Sequence, residues 1–171
     1  MLTYRKTDNL EVIGYSDSDY AGCKDELKST SGYIFMLSGG AISWKSAKQS
    51  LHTSSTMEAE FVACYKATKQ ALWLRNFVTY LKIVDTISRP LRIYCDNNAA
   101  VSFSKDYKIS DATKHIDLKY LVVRERVQKQ QVSIEQISTV AMLADPLTKG
   151  LPPNLFREHV ASMGLVDSLS Y

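Results

Sequence analysis

Polar and apolar positions along the chain divide it into short segments of contrasting period. Val12, Ile13 and Tyr15 mark Glu11 to Ser16 as a short strand that runs into Asp17, Ser18 and Asp19. Ser31 to Ser38 and Ala41 to Ser46 are two apolar runs separated by Gly39-Gly40. That link predicts a hairpin, because glycine supplies the positive φ that tight primed turns require. From about Met57 to Lys82 the period becomes helical. Phe61, Cys64, Thr68 and Leu72 recur at steps of three and four, and Val62, Leu74 and Val78 widen the apolar face. Leu91 to Cys95 reads as another strand, Asn97 to Ser104 as a short helix, and Thr113 to Gln130 as a longer helix. Val132 to Ser138 is ambiguous by period but β-rich. A final amphipathic stretch carries Phe156, Val160 and Met163. The order is strand, hairpin, helix, strand, helices, strand, helix. Three early strands can pair antiparallel, and two later ones, each reached through a helix, can add in parallel, giving a mixed α/β sheet.

Composition changes this picture little. The 171 residues, 45% hydrophobic and 23% charged, suit one soluble domain. The net charge of +3 is mild, yet Lys105 to Lys129 holds seven basic residues against four acidic ones. Such a stretch fits either a phosphate-tracking surface or a solvated helix face. Cys23, Cys64 and Cys95 include no CxxC pair and suggest neither a disulfide framework nor a zinc site. Met1 to Leu10 lacks the apolar core of a signal peptide, and no run is long enough to span a membrane.

The candidate chemistry lies in the acids. Asp17 and Asp96 each follow a strand, Glu58 opens the long helix, and Asp145 precedes Pro146. On parallel neighbouring strands, Asp17 and Asp96 would emerge at one sheet edge. Converging carboxylates repel unless cations lie between them, and an all-oxygen set points to Mg²⁺ or Mn²⁺. Each acid also has a structural reading. Asp17 and Asp19 suit a turn, Ser55 with Glu58 a capping box, Asp96 a helix cap, and Asp145-Pro146 a cap with proline at the first helical position.

Six segments bear on the metal reading, with which the capping roles remain compatible: GYSDSDYAG (Gly14 to Gly22), KSTSGYIFMLSGGAISWKS (Lys28 to Ser46), SSTMEAEFVA (Ser54 to Ala63), YCDNNAA (Tyr94 to Ala100), TKHIDLKY (Thr113 to Tyr120) and ADPLTKGL (Ala144 to Leu151). In this order and spacing the chain resembles, from about Leu10 to Leu165, the ribonuclease H domain of copia-type long-terminal-repeat retrotransposon polyproteins. The resemblance implies a ribonuclease H-like α/β fold, a five-stranded mixed sheet with helices on both faces. It implies one domain over residues 1–171, with 1–9 a residual connection from a reverse transcriptase and 152–171 a C-terminal helical tail. It also implies a D-E-D-D metal set, which motif by motif falls on Asp17, Glu58, Asp96 and Asp145, with Asp19 and Glu60 as rivals to the first two.

The implied activity is two-metal-ion hydrolysis of the RNA strand of an RNA/DNA hybrid during reverse transcription. Two Mg²⁺ ions are expected, with Mn²⁺ able to replace them, and the products would carry 5′ phosphate and 3′ hydroxyl ends. The alternative is a binding module that keeps the fold with little or no cleavage. Expected hybrid contacts are Thr53, Ser54 and Ser55 before the long helix, Asn97 and Asn98 after the third acid, and Lys114, His115, Lys119 and Arg124 in the basic stretch. Trp73 would either stack on a sugar or pack in the core. Family members often carry a second histidine where this chain has Leu121, a departure from the pattern in which a histidine such as His115 would assist product release. The reverse transcriptase domain of the same polyprotein is the expected protein partner, no membrane is implied, and the expected location is a cytoplasmic virus-like particle or the nucleus.

Overall fold

A computed structural model describes residues 1–6, 10–23, 27–81, 89–106 and 118–166, with the backbone alone at 23, 118 and 119. Five strands form one sheet in the order β3-β2-β1-β4-β5: β1 (Ile13–Cys23), β2 (Lys28–Leu37), β3 (Gly40–Lys48), β4 (Leu91–Cys95) and β5 (Val132–Gln136). The first three pair antiparallel, and β1-β4 and β4-β5 pair parallel. This is the mixed sheet that the segment pattern predicts.

The longer helix expected over Thr113 to Gln130 is, among the described residues, a 3₁₀ turn at Leu118–Leu121 and a helix over Val122–Gln128 only, with 113–117 outside them. Two further elements differ from their sequence reading. β1 does not stop at Ser16. Asp17 and Asp19 stay in the sheet opposite Gly32 and Thr30 of β2, because β2 begins as early as Lys28. The parallel ladder to β4, however, ends at Tyr15 opposite Tyr94. Asp17 therefore sits where β1 has left one neighbour but not the other. The hairpin turn is Ser38-Gly39, both at positive φ, rather than Gly39-Gly40. Gly40 belongs to β3, where a Cβ would lie 2.6 Å from the carbonyl oxygen of Thr3. The N-terminal segment packing on β3 thus sets the turn register.

Helix α1 (Thr56–Tyr80) lies on one face of the sheet. It contains neither Gly nor Pro, and the Ser55 side chain accepts a hydrogen bond from the Glu58 N–H at 3.2 Å, capping its start. Its buried stripe continues through Cys64, Ala67, Ala71, Leu74 and Val78, at alternating steps of three and four. With α2 (Asn98–Lys105) and α3 (Val122–Gln128) it covers Phe35, Leu91, Ile93, Val132 and Ile134. Gly14 makes this packing possible, since a Cβ there would come within 2.6 Å of the Phe35 ring.

The opposite face is covered by less. Ile34, Met36 and Ala41 meet Met142, Ala144 and Met163, brought by short 3₁₀ turns at Thr139–Ala141 and Asp145–Leu147 and by the end of α4 (Pro153–Ser162). The N-terminus is tied here as well. Thr3 N–H donates to Gly164 at 2.8 Å, and Leu2 bridges to Leu165. Segments 1–6 and 152–166 are thereby built into this cover. Among the described residues, no helix is long and apolar enough to cross a membrane.

Candidate metal centre at the sheet edge

Three carboxylates meet where β1 and β4 part. Asp17, Asp96 and Asp145 each offer an oxygen, and these atoms lie within 4.8 Å of one another. Asp17 is 1% exposed and Asp145 3%, while Asp96, one residue past β4, is half-buried. Asp145 arrives at the start of a 3₁₀ turn with Pro146 next to it. At that spacing, two full charges repel by roughly 3–4 kcal/mol at an effective dielectric near 20. Burial first, and then the charge of Asp17, push the Asp145 carboxyl up to about 6, against the opposing pull of Lys149.

The two glutamates of α1 part company. Glu58 is buried, and its Oε2 accepts hydrogen bonds from the Ser54 N–H at 2.6 Å and the Ser54 hydroxyl at 2.8 Å. It belongs to no metal-ligand grouping among the described residues. Glu60 instead lies with Cys95 and Asp96 in a second group, again within 4.8 Å, so that Asp96 is shared by both groups. Its Oε1 accepts from the Ser18 N–H at 3.0 Å, and the Cys95 thiol faces Oε2 at 3.7 Å. Burial, with Cys95, Asp17 and Asp96 close by, raises the Glu60 carboxyl to about 10. The expectation that Glu58 converges with the three aspartates is thus not what the geometry gives. Two positions along a helix turn a side chain through about 200°. A sequence signal existed, since stepping the stripe Val78, Leu74, Ala71, Ala67, Cys64 back by four lands on Glu60.

Lys149 and Thr148 are site residues that the sequence reading missed. Lys149 Nζ lies 3.0 Å from Asp145 Oδ1 and 3.4 Å from Asp17 Oδ1. The Thr148 hydroxyl donates to Asp17 Oδ2 and also lies 3.1 Å from the Asp145 carbonyl oxygen. Burial lowers the Lys149 pKa, but the two carboxylates outweigh it and the net shift is upward. The only available hint was that Lys149 follows Asp145 by four residues.

Several of the expected nucleic-acid contacts are engaged within the fold. Ser54 is spent on Glu58, Ser55 caps α1, and the Thr53 hydroxyl shares a hydrogen bond with Ser29 at 3.1 Å. Asn97, not Asp96, caps α2 by accepting from the Ala100 N–H, and Asn98 is exposed. Arg124 lies inside the fold, which removes it from any phosphate surface. Its Nε donates to the Phe103 carbonyl at 2.8 Å, satisfying an orphan oxygen in the last turn of α2, and its guanidinium stacks 3.8 Å from the Phe103 ring. Lys114 and His115 lie outside the described residues, as does the side chain of Lys119. Trp73 is 55% exposed and stacks on Phe77, so it is not a core residue.

The carboxylate site fits a divalent cation on its own chemistry. It is all oxygen, with Asp17 and Asp145 buried and Asp96 half-buried, and Asp145 Oδ1 receives no well-aligned hydrogen bond from the described residues, only the approach of an ammonium.

No protein-family model matches the chain. It is 41% identical over 143 residues to the retrovirus-related Pol polyprotein from transposon TNT 1-94 of Nicotiana tabacum, covering 84% of this chain and 10% of that protein. It is 35% identical over 161 residues to the corresponding polyprotein from transposon RE1 of Arabidopsis thaliana, covering 94% of this chain and 11% of that protein. The chain therefore spans about a tenth of the length of these curated relatives. Among solved structures, the N-terminal RNase H domain of a Mycobacterium tuberculosis protein superposes with a TM-score of 0.55 at 12% identity, over 90% of this chain and 99% of that one. A likeness at that identity establishes the fold.

Proposed function

Because this chain belongs to the ribonuclease H-fold segment of the retrovirus-related Pol polyproteins, we propose that it is the copia-type enzyme that hydrolyses the RNA strand of RNA/DNA hybrids. The observation that carries the reading is the meeting of Asp17, Asp96 and Asp145 at the β1/β4 edge, with Glu60 joined to them through Asp96. These four side chains would hold two Mg²⁺ ions, or Mn²⁺ in their place. Bound there, divalent ions supply charge neutralisation for a scissile phosphate and acidify water for attack on it.

The chain's own residues set the frame. Asp17 is held in the sheet by β2 on one side, opposite Gly32, and is almost fully buried, so its carboxylate has little freedom to follow the ligand. Asp96 stands between the two groups and would be the shared ligand. Glu60 replaces Glu58 as the fourth acid. As long as it is protonated, its carboxyl relieves charge within the cluster, and it becomes a full ligand only on losing that proton. The half-buried position of Asp96 leaves the site open on the side from which a backbone phosphate would arrive. Asn98, exposed at the start of α2, and Thr53, ahead of α1 and sharing a hydrogen bond with Ser29, remain the candidates to meet the hybrid backbone. In this reading the polymerase segment of the same polyprotein presents the substrate.

Cleavage of a labelled hybrid in Mg²⁺, in Mn²⁺ and in EDTA tests this reading. Glu60→Gln and Asp17→Asn should each abolish metal-dependent cutting. Glu58→Gln should retain most of it, with a modest loss of stability from the weakened Ser54 contact. Full activity in Glu60→Gln together with loss in Glu58→Gln would restore the motif-based assignment.

A further inference from the structure

We propose that Lys149 is a tethered cation that occupies the carboxylate site while no metal is bound and is driven out when metal enters. The inference rests on the metal-site reading above and adds to it a competitor within the chain. The Lys149 ammonium stands 3.0 Å from Asp145 and 3.4 Å from Asp17, two acids that are themselves almost fully buried. Its neighbour Thr148 takes the other oxygen of Asp17. Adjacent residues of one segment therefore engage both Asp17 oxygens and the buried Oδ1 of Asp145, on two of the carboxylates a divalent ion would use.

Physical chemistry makes the two occupants exclusive. Buried carboxylates at this spacing require positive charge between them, and the described structure supplies it from Lys149. An ion bound to the same oxygens would repel an ammonium a few ångströms away, with little water to screen the pair. Lysine suits the role. Its side chain is 31% exposed and its stem is flexible, so the ammonium can leave the site by rotation about side-chain bonds alone. The metal-free chain is thereby spared the repulsion of a bare acidic cluster. Metal affinity is correspondingly reduced by the population in which Lys149 is seated.

The test uses the whole chain and Mn²⁺ as the probe. Lysine acylation mapped by mass spectrometry should find Lys149 less reactive than Lys129, which is exposed, in EDTA. Saturating Mn²⁺ should raise Lys149 reactivity severalfold and leave Lys129 unchanged. Calorimetric titration should show Lys149→Met binding Mn²⁺ about tenfold more tightly than wild type, a size ordinary for coupled sites. Lys149→Arg, which keeps the charge, should bind no more tightly than wild type. Lys149 reactivity that is blind to Mn²⁺ in a wild type that binds it would overturn this inference and leave the metal site standing. Equal or weaker Mn²⁺ binding by Lys149→Met would do the same. A wild type that binds no Mn²⁺ would overturn both.

Discussion

The two faces of the sheet are unequal. On the α1 face, twenty of the described residues, from three helices, the strands β2, β4 and β5, Val12 just before β1 and Tyr120 just before α3, form one continuous buried cluster. On the other, six do so, beneath 3₁₀ turns and the end of α4. That thinner cover leaves an apolar groove lined by Ile34, Trp44, Leu147, Phe156 and Val160. The acids divide between the two sides. Glu60 is anchored on the helix of the thick side, while Asp145, Thr148 and Lys149 ride on the short turn of the thin side. Asp17 lies in the strand between them. A site assembled this way has a rigid half and a half held by few apolar contacts, which is where local opening is cheapest.

The largest effect should come from breaking the thick side. Phe61 is fully buried and meets Phe103 edge to face, with ring centroids 4.6 Å apart. Phe61→Ala should cost about 3–5 kcal/mol in denaturant unfolding, as for large-to-small changes in a packed core. A loss under about 1 kcal/mol would mean that this cluster is not the main core.

Met142→Ala strikes the thin side and should cost about 2–3 kcal/mol, because the shallower cover can collapse into the space. Its distinctive consequence is local. Amide exchange over Ala141 to Lys149 should accelerate more than exchange in α1. Uniform acceleration would show that the two faces open together and would dissolve the comparison.

The pH dependence sharpens it further. The Asp145 pKa is raised from 3.8 to about 6 by burial and by Asp17, so its proton is held more tightly in the folded state. The stability it contributes is complete below pH 4 and is lost as pH rises through 6. The melting temperature of the metal-free chain should therefore fall between pH 4 and 7, and Asp145→Asn should flatten that fall. Glu60, raised from 4.5 to about 10, acts with the same sign over a wider window. Glu60→Gln should accordingly reduce the slope above pH 7, where Asp145→Asn has no further effect. A wild-type melting temperature independent of pH across this range would contradict both shifts.

The smallest effect concerns the entry to α1. Ser55→Ala removes the side-chain cap of Glu58 N–H and should cost about 1 kcal/mol. Metal affinity should change little, since Glu60 is held by the Ser18 N–H and not by the cap. A large drop in Mn²⁺ affinity would show that the helix start, and with it Glu58, belongs to the site after all.

Much of this arrangement was present in local order along the chain. The helical period from Met57, the strands at Ser31, Ala41 and Leu91, and the acids that follow Ser16 and Cys95 are set by neighbours a few residues apart, and those periods survive folding. Long-range neighbours decided the rest. The turn at Ser38-Gly39 depends on Thr3 packing against Gly40, the burial of Arg124 on a carbonyl left over at the end of α2, and the choice of Glu60 over Glu58 on which flank of α1 meets Asp96. The meeting of Lys149 with Asp17 spans 132 residues. A sequence states each of those charges, but electrostatic energy depends on separation and burial, and only the folded chain supplies both.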